Sequence, residues 1–122
     1  MEQRSPTADE LAGVSLLANL PADALVSLAE RMERRELEPG EAVLREGEAG
    51  HHFYVVLSGM LAVRQHDLGQ RRVLTPGEYF GEIALVEGIP RTATVSAVAA
   101  STVASCDKSA FAEFVGPLFW AG

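Results

Sequence analysis

Two side chains of opposite charge, Glu82 and Arg91, flank a turn-rich segment that runs Phe80-Gly81-Glu82-Ile83-Ala84-Leu85-Val86-Glu87-Gly88-Ile89-Pro90-Arg91-Thr92. Gly81 allows the backbone to turn sharply or to approach something closely. Glu82 to Glu87 has the length of a single helical turn, which Gly88 can close in a left-handed conformation. The start of such a turn offers unpaired N–H groups, a seat for an anion. Pro90 keeps Ile89 extended, so the chain leaves in a fixed direction. Arg91 then supplies a planar fork suited to a phosphate. Glu82 would repel an anion unless it faces a different group, such as a sugar hydroxyl that donates to it. An anion cradle beside a hydroxyl acceptor fits a nucleotide whose phosphate and sugar lie close together.

Other reactive residues assemble nothing comparable. His51 and His52 lie near Glu48, but as neighbours in an extended segment their rings point apart, and only His66 follows. A metal-dependent enzyme of cupin type would need histidines spaced across two strands and another later, so the pair reads as loop histidines without a metal. Cys106 reads as a small core residue, with no histidine near it in sequence. Ser58, Ser96, Ser101 and Ser105 carry no nucleophile-elbow pattern. The expectation is a non-enzyme.

Composition narrows the class. The chain has 122 residues, enough for one domain, with 48% hydrophobic and 22% charged residues, a globular balance. Seventeen acidic against ten basic residues give a net charge of −7, which argues against nucleic-acid binding. A single cysteine excludes an internal disulfide and a Cys-rich zinc or iron–sulfur site. No apolar run approaches the roughly 20 residues needed to cross a bilayer. The start, MEQRSPTADE, does not read as a signal peptide. These features predict a soluble, cytoplasmic domain without membrane insertion.

Residues 1–36 read as helical. Thr7-Ala8-Asp9-Glu10 has the spacing of a capping box, followed by Leu11, Val14 and Leu17 on one face. Pro21 suits a first helical position, with Leu25, Leu28, Ala29 and Met32 behind it. Arg31, Arg34 and Arg35 read as a solvated, dipole-matched helix end ahead of an anion or partner site. From Leu37, Pro-Gly and other glycine turns recur every 8–12 residues or so, between short β-rich runs at 42–44, 53–57, 60–63 and 72–74. Regular short strands predict a sandwich or barrel. His66-Asp67-Leu68-Gly69 reads as a hairpin loop, and 92–106 as two strands. Asp107 is a plausible N-cap for a last helix bearing Phe111, Phe114 and Val115, which Gly116-Pro117 is expected to end before Leu118.

The segment around Glu82 and Arg91 resembles the phosphate-binding cassette of cyclic nucleotide-binding domains, found in kinase regulatory subunits, catabolite activators and gated channels. The likeness extends over most of the chain. Leu20-Pro21, Pro39-Gly40-Glu41, Arg45-Glu46-Gly47-Glu48, Tyr54 to Gly59 and Leu74-Thr75-Pro76-Gly77-Glu78-Tyr79-Phe80-Gly81-Glu82 follow in the family's order. The resemblance implies a mainly β fold, a double-stranded β-helix or jelly-roll β-roll. One domain over 1–122 would comprise a helical lead at 1–36, a roll at 37–107 with its cassette at 80–95, and a C-terminal helix and tail at 108–122. It further implies that Glu82 accepts from the ribose 2′-hydroxyl and Arg91 grips the cyclic phosphate. Gly81 would give the turn, and the N–H groups of Ile83, Ala84 and Thr92 would surround the ligand.

The ligand so implied is cAMP or cGMP, with no cofactor. A hydroxyl directly after the arginine can favour cGMP, but several cAMP-preferring members also have one, and cAMP ranks ahead. The family covers the base with a later helix or a partner chain. Here the sequence stops at Trp120-Ala121-Gly122, so either the chain is an excised domain or such a cover is expected from elsewhere. Trp120 is expected to be buried against the roll or in an interface ahead of stacking on a base. The function implied is a ligand sensor that biases an attached or partner effector, with a homodimer possible. Phosphate would draw in the turn and Ile83 would repack against Phe111 and Phe114. The alternative is a ligand-free structural or interaction domain that keeps the same roll.

Overall fold

The computed structural model describes residues 4–120, apart from the side chains of Arg71 and Trp120. The expectations for Trp120 therefore lie outside the described residues. The N-terminal helices are α1 (Ala8–Ala12), a 3-10 turn (Ser15–Leu17) and α2 (Ala22–Arg31). Then come β1 (Glu33–Leu37), β2 (Ala42–Leu44), β3 (His52–Ser58), β4 (Leu61–Gln65), β5 (Gly69–Leu74) and β6 (Tyr79–Phe80). Next are α3 (Glu82–Glu87), β7 (Thr94–Ala97) and β8 (Ser101–Asp107). A C-terminal helix follows, made of α4 (Lys108–Ala110), a π-helical turn (Phe111–Val115) and α5 (Gly116–Trp120).

The fold is mainly β. Two antiparallel four-stranded sheets, ordered β1-β8-β3-β6 and β2-β7-β4-β5, face each other. Their inner faces enclose one core, in which Leu37, Leu44, Val56, Leu61, Leu74, Phe80, Val95 and Val103 pack together. Alternation along the strands builds a second core on the outer face of the first sheet. There Phe53 and Val55 of β3 and Ala104 and Cys106 of β8 meet the helices through Leu11, Leu17, Leu28, Phe111 and Val115. Because β3 is covered on both faces, its middle reads as an unbroken apolar run, Phe53-Tyr54-Val55-Val56-Leu57.

The capping box forms as its spacing predicts: the Thr7 hydroxyl accepts from the Glu10 N–H at 3.1 Å, and the Thr7 N–H donates to the Glu10 carboxylate at 3.0 Å. The 66–69 hairpin loop also forms, with the Leu68 N–H on the Gln65 carbonyl at 3.1 Å. Pro21 sits one position earlier than expected, at the N-cap of α2.

Two segments differ from the sequence reading. The helical lead ends at Arg31, not at residue 36, because Met32 turns extended (φ −105°, ψ 154°) and Glu33–Leu37 becomes an edge strand against β8. Its charged residues suit a sheet edge, where they discourage further pairing. Arg34 and Arg35 therefore lie on β1, and all three arginines are ion-paired. Arg31 meets Glu113 at 3.0 Å, Arg34 meets Glu10 at 2.6 Å and Arg35 meets Glu41 at 2.8 Å.

Nor does Gly116-Pro117 end the last helix. Gly116 is helical (φ −48°, ψ −47°), and its N–H reaches back to the Phe111 carbonyl, the wider spacing of a π turn. That slack relieves the clash a proline ring makes with the preceding turn. The helix then carries Leu118 and Phe119 onto the outer core, with the Phe119 ring edge-on to Tyr79 at 5.6 Å. No described helix is long and apolar enough to cross a membrane.

Candidate functional site

The cassette is assembled by backbone geometry first. β6 pairs with β3 through Tyr54↔Phe80, and the two rings stack at 5.0 Å, nearly parallel. Gly81 follows in the left-handed region at φ +92°, a conformation that strains any other residue. It sits at the N-cap of α3, whose far end Gly88 closes at φ +67° with its N–H on the Ala84 carbonyl at 3.0 Å. This is the turn the glycine spacing predicts.

Arg91 is fixed along its main chain by the loop after β2. Its N–H donates to the Glu48 carbonyl at 2.8 Å, and its carbonyl accepts from the Gly47 N–H at 2.9 Å. The side chain runs inward and is only 6% exposed. The guanidinium donates to two backbone carbonyls, those of Gly81 (2.8 Å) and His52 (2.8 Å). Among the described residues no carboxylate lies within 4.0 Å of it. Burial pulls its pKa down, opposed by the Tyr54 hydroxyl and the Glu82 carboxylate nearby. The same burial pushes the Tyr54 pKa up.

A cavity of about 180 Å³ opens between α3, the β-roll and Arg91. Gly81, Glu82, Ile83, Ala84, Arg91 and Thr92 all line it, so the structure brings all six residues picked from sequence to one place. Leu44, Val63, Leu74 and Val95 add apolar wall, and Arg72 stands at the rim. Ala84 is buried, Glu82 half-buried, and Thr92 and Ile83 are exposed. Ligand pockets for drug-sized molecules run to roughly 300–1,000 Å³, so this cavity is small beside them.

Two residues escape the sequence reading. Gly50 lies directly beneath the guanidinium, where an added Cβ would stand 2.7 Å from both Cζ and Nε of Arg91 and 2.5 Å from the Ala84 Cβ. Its glycine reads in sequence as turn punctuation, and close approach is not visible until the chain is folded. The second is Leu85. It is buried in the core containing Phe53 and Phe111, whereas Ile83, expected to repack against Phe111 and Phe114 once phosphate draws in the turn, is 47% exposed. His51 and His52 are exposed, and it is the main-chain carbonyl of His52 that serves the site.

Residues 34–116 match the family model described as the cyclic nucleotide-binding domain. The chain belongs to that family. It is 37% identical over 110 residues to a cAMP-dependent protein kinase regulatory subunit of Candida albicans, covering 90% of this chain and 24% of that one. It is 35% identical to the cGMP-dependent protein kinase egl-4 of Caenorhabditis briggsae, covering 97% of this chain and 17% of the relative. The chain thus spans about a quarter or less of the length of these two relatives. Among solved structures it superposes on the regulatory domain of Toxoplasma gondii PKA co-crystallised with cAMP. The TM-score is 0.85 at 27% identity, covering 91% of this chain and 44% of that one.

Proposed function

We propose that this chain binds a cyclic nucleotide, cAMP ahead of cGMP, in the cavity between α3 and Arg91, and thereby regulates a kinase catalytic chain without catalysing a reaction itself. The observation that carries the reading is the buried Arg91 guanidinium with no carboxylate partner among the described residues. A buried charge without a counter-ion is costly unless hydrogen-bonded and compensated. Two backbone carbonyls take two of its five N–H donors, and the rest are available to an anion.

In this reading the cyclic phosphate sits against Arg91 and the N–H groups of Ile83, Ala84 and Thr92, while Glu82 accepts from the ribose hydroxyl. Because the same guanidinium holds the Gly81 carbonyl, phosphate binding acts directly on the residue that opens α3. Leu85 carries any displacement of α3 to Phe111 and the C-terminal helix. The ligand shifts that equilibrium only by its differential affinity for the two arrangements. The names of the relatives, kinase regulatory subunits among them, support a kinase as the effector.

A cyclic nucleotide of about 22 non-hydrogen atoms at about −0.3 kcal/mol each gives a Kd on the order of 10 μM. Calorimetric titration with both nucleotides tests the proposal, with cAMP expected to bind more tightly. Arg91→Ala should weaken binding by about 1.5–3 kcal/mol, the worth of a charged hydrogen bond. Equal binding by the wild type and this variant would remove the site. Millimolar nucleotide should also raise the melting midpoint; no shift would favour the ligand-free interaction domain.

A further inference from the structure

The last part of the cassette, Arg91 to Thr94, is held from both flanks by groups outside the cassette. The main chain of Arg91 is bonded to Gly47 and Glu48, as described above. One residue on, the Thr92 carbonyl accepts from the side-chain amide of Gln65 at 3.1 Å. Two residues further, the Thr94 hydroxyl accepts from the Glu46 N–H at 2.9 Å. The Glu46 carboxylate in turn accepts from the His66 N–H at 2.9 Å, which ties the loop after β2 to the β4–β5 hairpin.

Among these ties, that of Gln65 is the only one made by a side chain reaching across to the cassette's main chain. Gln65 is the last residue of β4, just beyond the register shift between Val63 and Arg64, and pairs with Gly69 across the hairpin. β4 and β7 pair only as far as Arg64↔Thr94, so the regular ladder stops short of Thr92. The Gln65 amide supplies a donor where the ladder no longer does. The peptide it fixes joins Thr92 and Ala93, both of which line the cavity, and Thr92 directly follows the residue whose guanidinium faces the site.

We infer that Gln65 is a positioning residue for the anion site: its amide holds the Thr92 peptide and so presets the Arg91–Thr92 step before a phosphate arrives. This rests on the proposed nucleotide site, which it deepens. The recognising chemistry remains that of Arg91; Gln65 touches no ligand and acts through the backbone. A preset donor geometry raises affinity by removing an ordering cost otherwise met on binding.

Gln65→Met removes the donor at similar volume and without adding charge. Gln70→Met makes the same exchange in the same hairpin, at an exposed residue that makes no side-chain hydrogen bond among the described residues. For cAMP, Gln65→Met should raise Kd about fivefold, the worth of one neutral hydrogen bond, and Gln70→Met should leave it unchanged. In the nucleotide-free protein, amide hydrogen exchange at residues 92–94 should accelerate in Gln65→Met alone, with the global melting midpoint of both variants near that of wild type. Unchanged exchange at 92–94 overturns the inference whether or not a nucleotide binds. An equal rise in Kd for both variants also overturns it, because the effect would then belong to the hairpin. If exchange accelerates as expected but Arg91→Ala binds nucleotide like wild type, the ligand assignment fails and the positioning of Thr92 stands.

Discussion

Gly50 and Arg91 stand so close that no methyl group fits between them: a Cβ on Gly50 would lie 2.7 Å from the centre of the guanidinium. The loop before β3 therefore acts as a floor that sets the height of the arginine in its cavity. Gly50→Ala should displace the guanidinium or the loop, with a stability loss of about 1–3 kcal/mol from overpacking. Nucleotide affinity should fall by at least about tenfold, since displacing a positioned charge by even 1 Å is costly. Paired calorimetry and urea titration check this; unchanged affinity would show that the height of Arg91 is immaterial.

Glu82→Gln keeps an acceptor and removes the charge. Hydrogen bonds to charged groups are worth about 1.5–3 kcal/mol and neutral ones about 0.5–1.5 kcal/mol, so affinity for cAMP should drop by about 1 kcal/mol. The 2′-deoxy analogue, which lacks the hydroxyl, should bind wild type and variant alike. A parallel drop for both ligands would place Glu82 elsewhere than on the sugar.

Leu85 and Ile83 are two residues apart on α3 yet differ in burial, 6% against 47%. Leu85→Ala should lower stability by about 2–5 kcal/mol, the range for a buried leucine. Ile83→Ala should cost far less. Urea unfolding of the two variants separates them, and comparable losses would contradict the assignment of Leu85 to the outer core.

Acid sensitivity has a named contributor in Glu10. The Arg34 guanidinium and then the Thr7 N–H hold its carboxyl below the ordinary carboxylate value. A folded-state pKa lower than the unfolded one adds stability that is fully present above the unfolded value and is lost as pH falls through the folded one. The gap in melting temperature between wild type and Glu10→Gln should therefore be widest near neutrality and narrow in acid. A gap that stays constant with pH would show that the charge is not what matters.

Burial pushes the Cys106 thiol up to about 12, and its residue is 2% exposed. At pH 8 the folded protein should resist iodoacetamide, and urea should expose one reactive thiol. Rapid labelling of the native protein would mean that the outer core opens readily.

Local chemistry was the most legible part of the sequence. The Thr7 capping box, the 66–69 hairpin and the Gly81-to-Gly88 turn all follow from residues within a few positions of one another. Properties created by distant contacts were not. Glu33–Leu37 carries four charges in five residues and becomes a strand only because β8 offers it an edge. Gly50 gains its meaning from an arginine 41 positions later. A helix of six residues exposes either Ile83 or Leu85 with equal ease until packing decides. Gly116-Pro117 reads as a stop because helix rules assume α spacing, which the preceding π turn does not keep.

That π turn also sets the azimuth of Leu118 and Phe119. Successive residues advance by about 100° around an α-helix, and a π turn accommodates one residue more per closing bond. Phe119 meets Tyr79 only because this surplus residue lies between Phe111 and Gly116. Tightening the stretch to uniform α pitch would swing Leu118 and Phe119 a quarter-turn or more around the axis, uncovering the tyrosine that leads into the cassette.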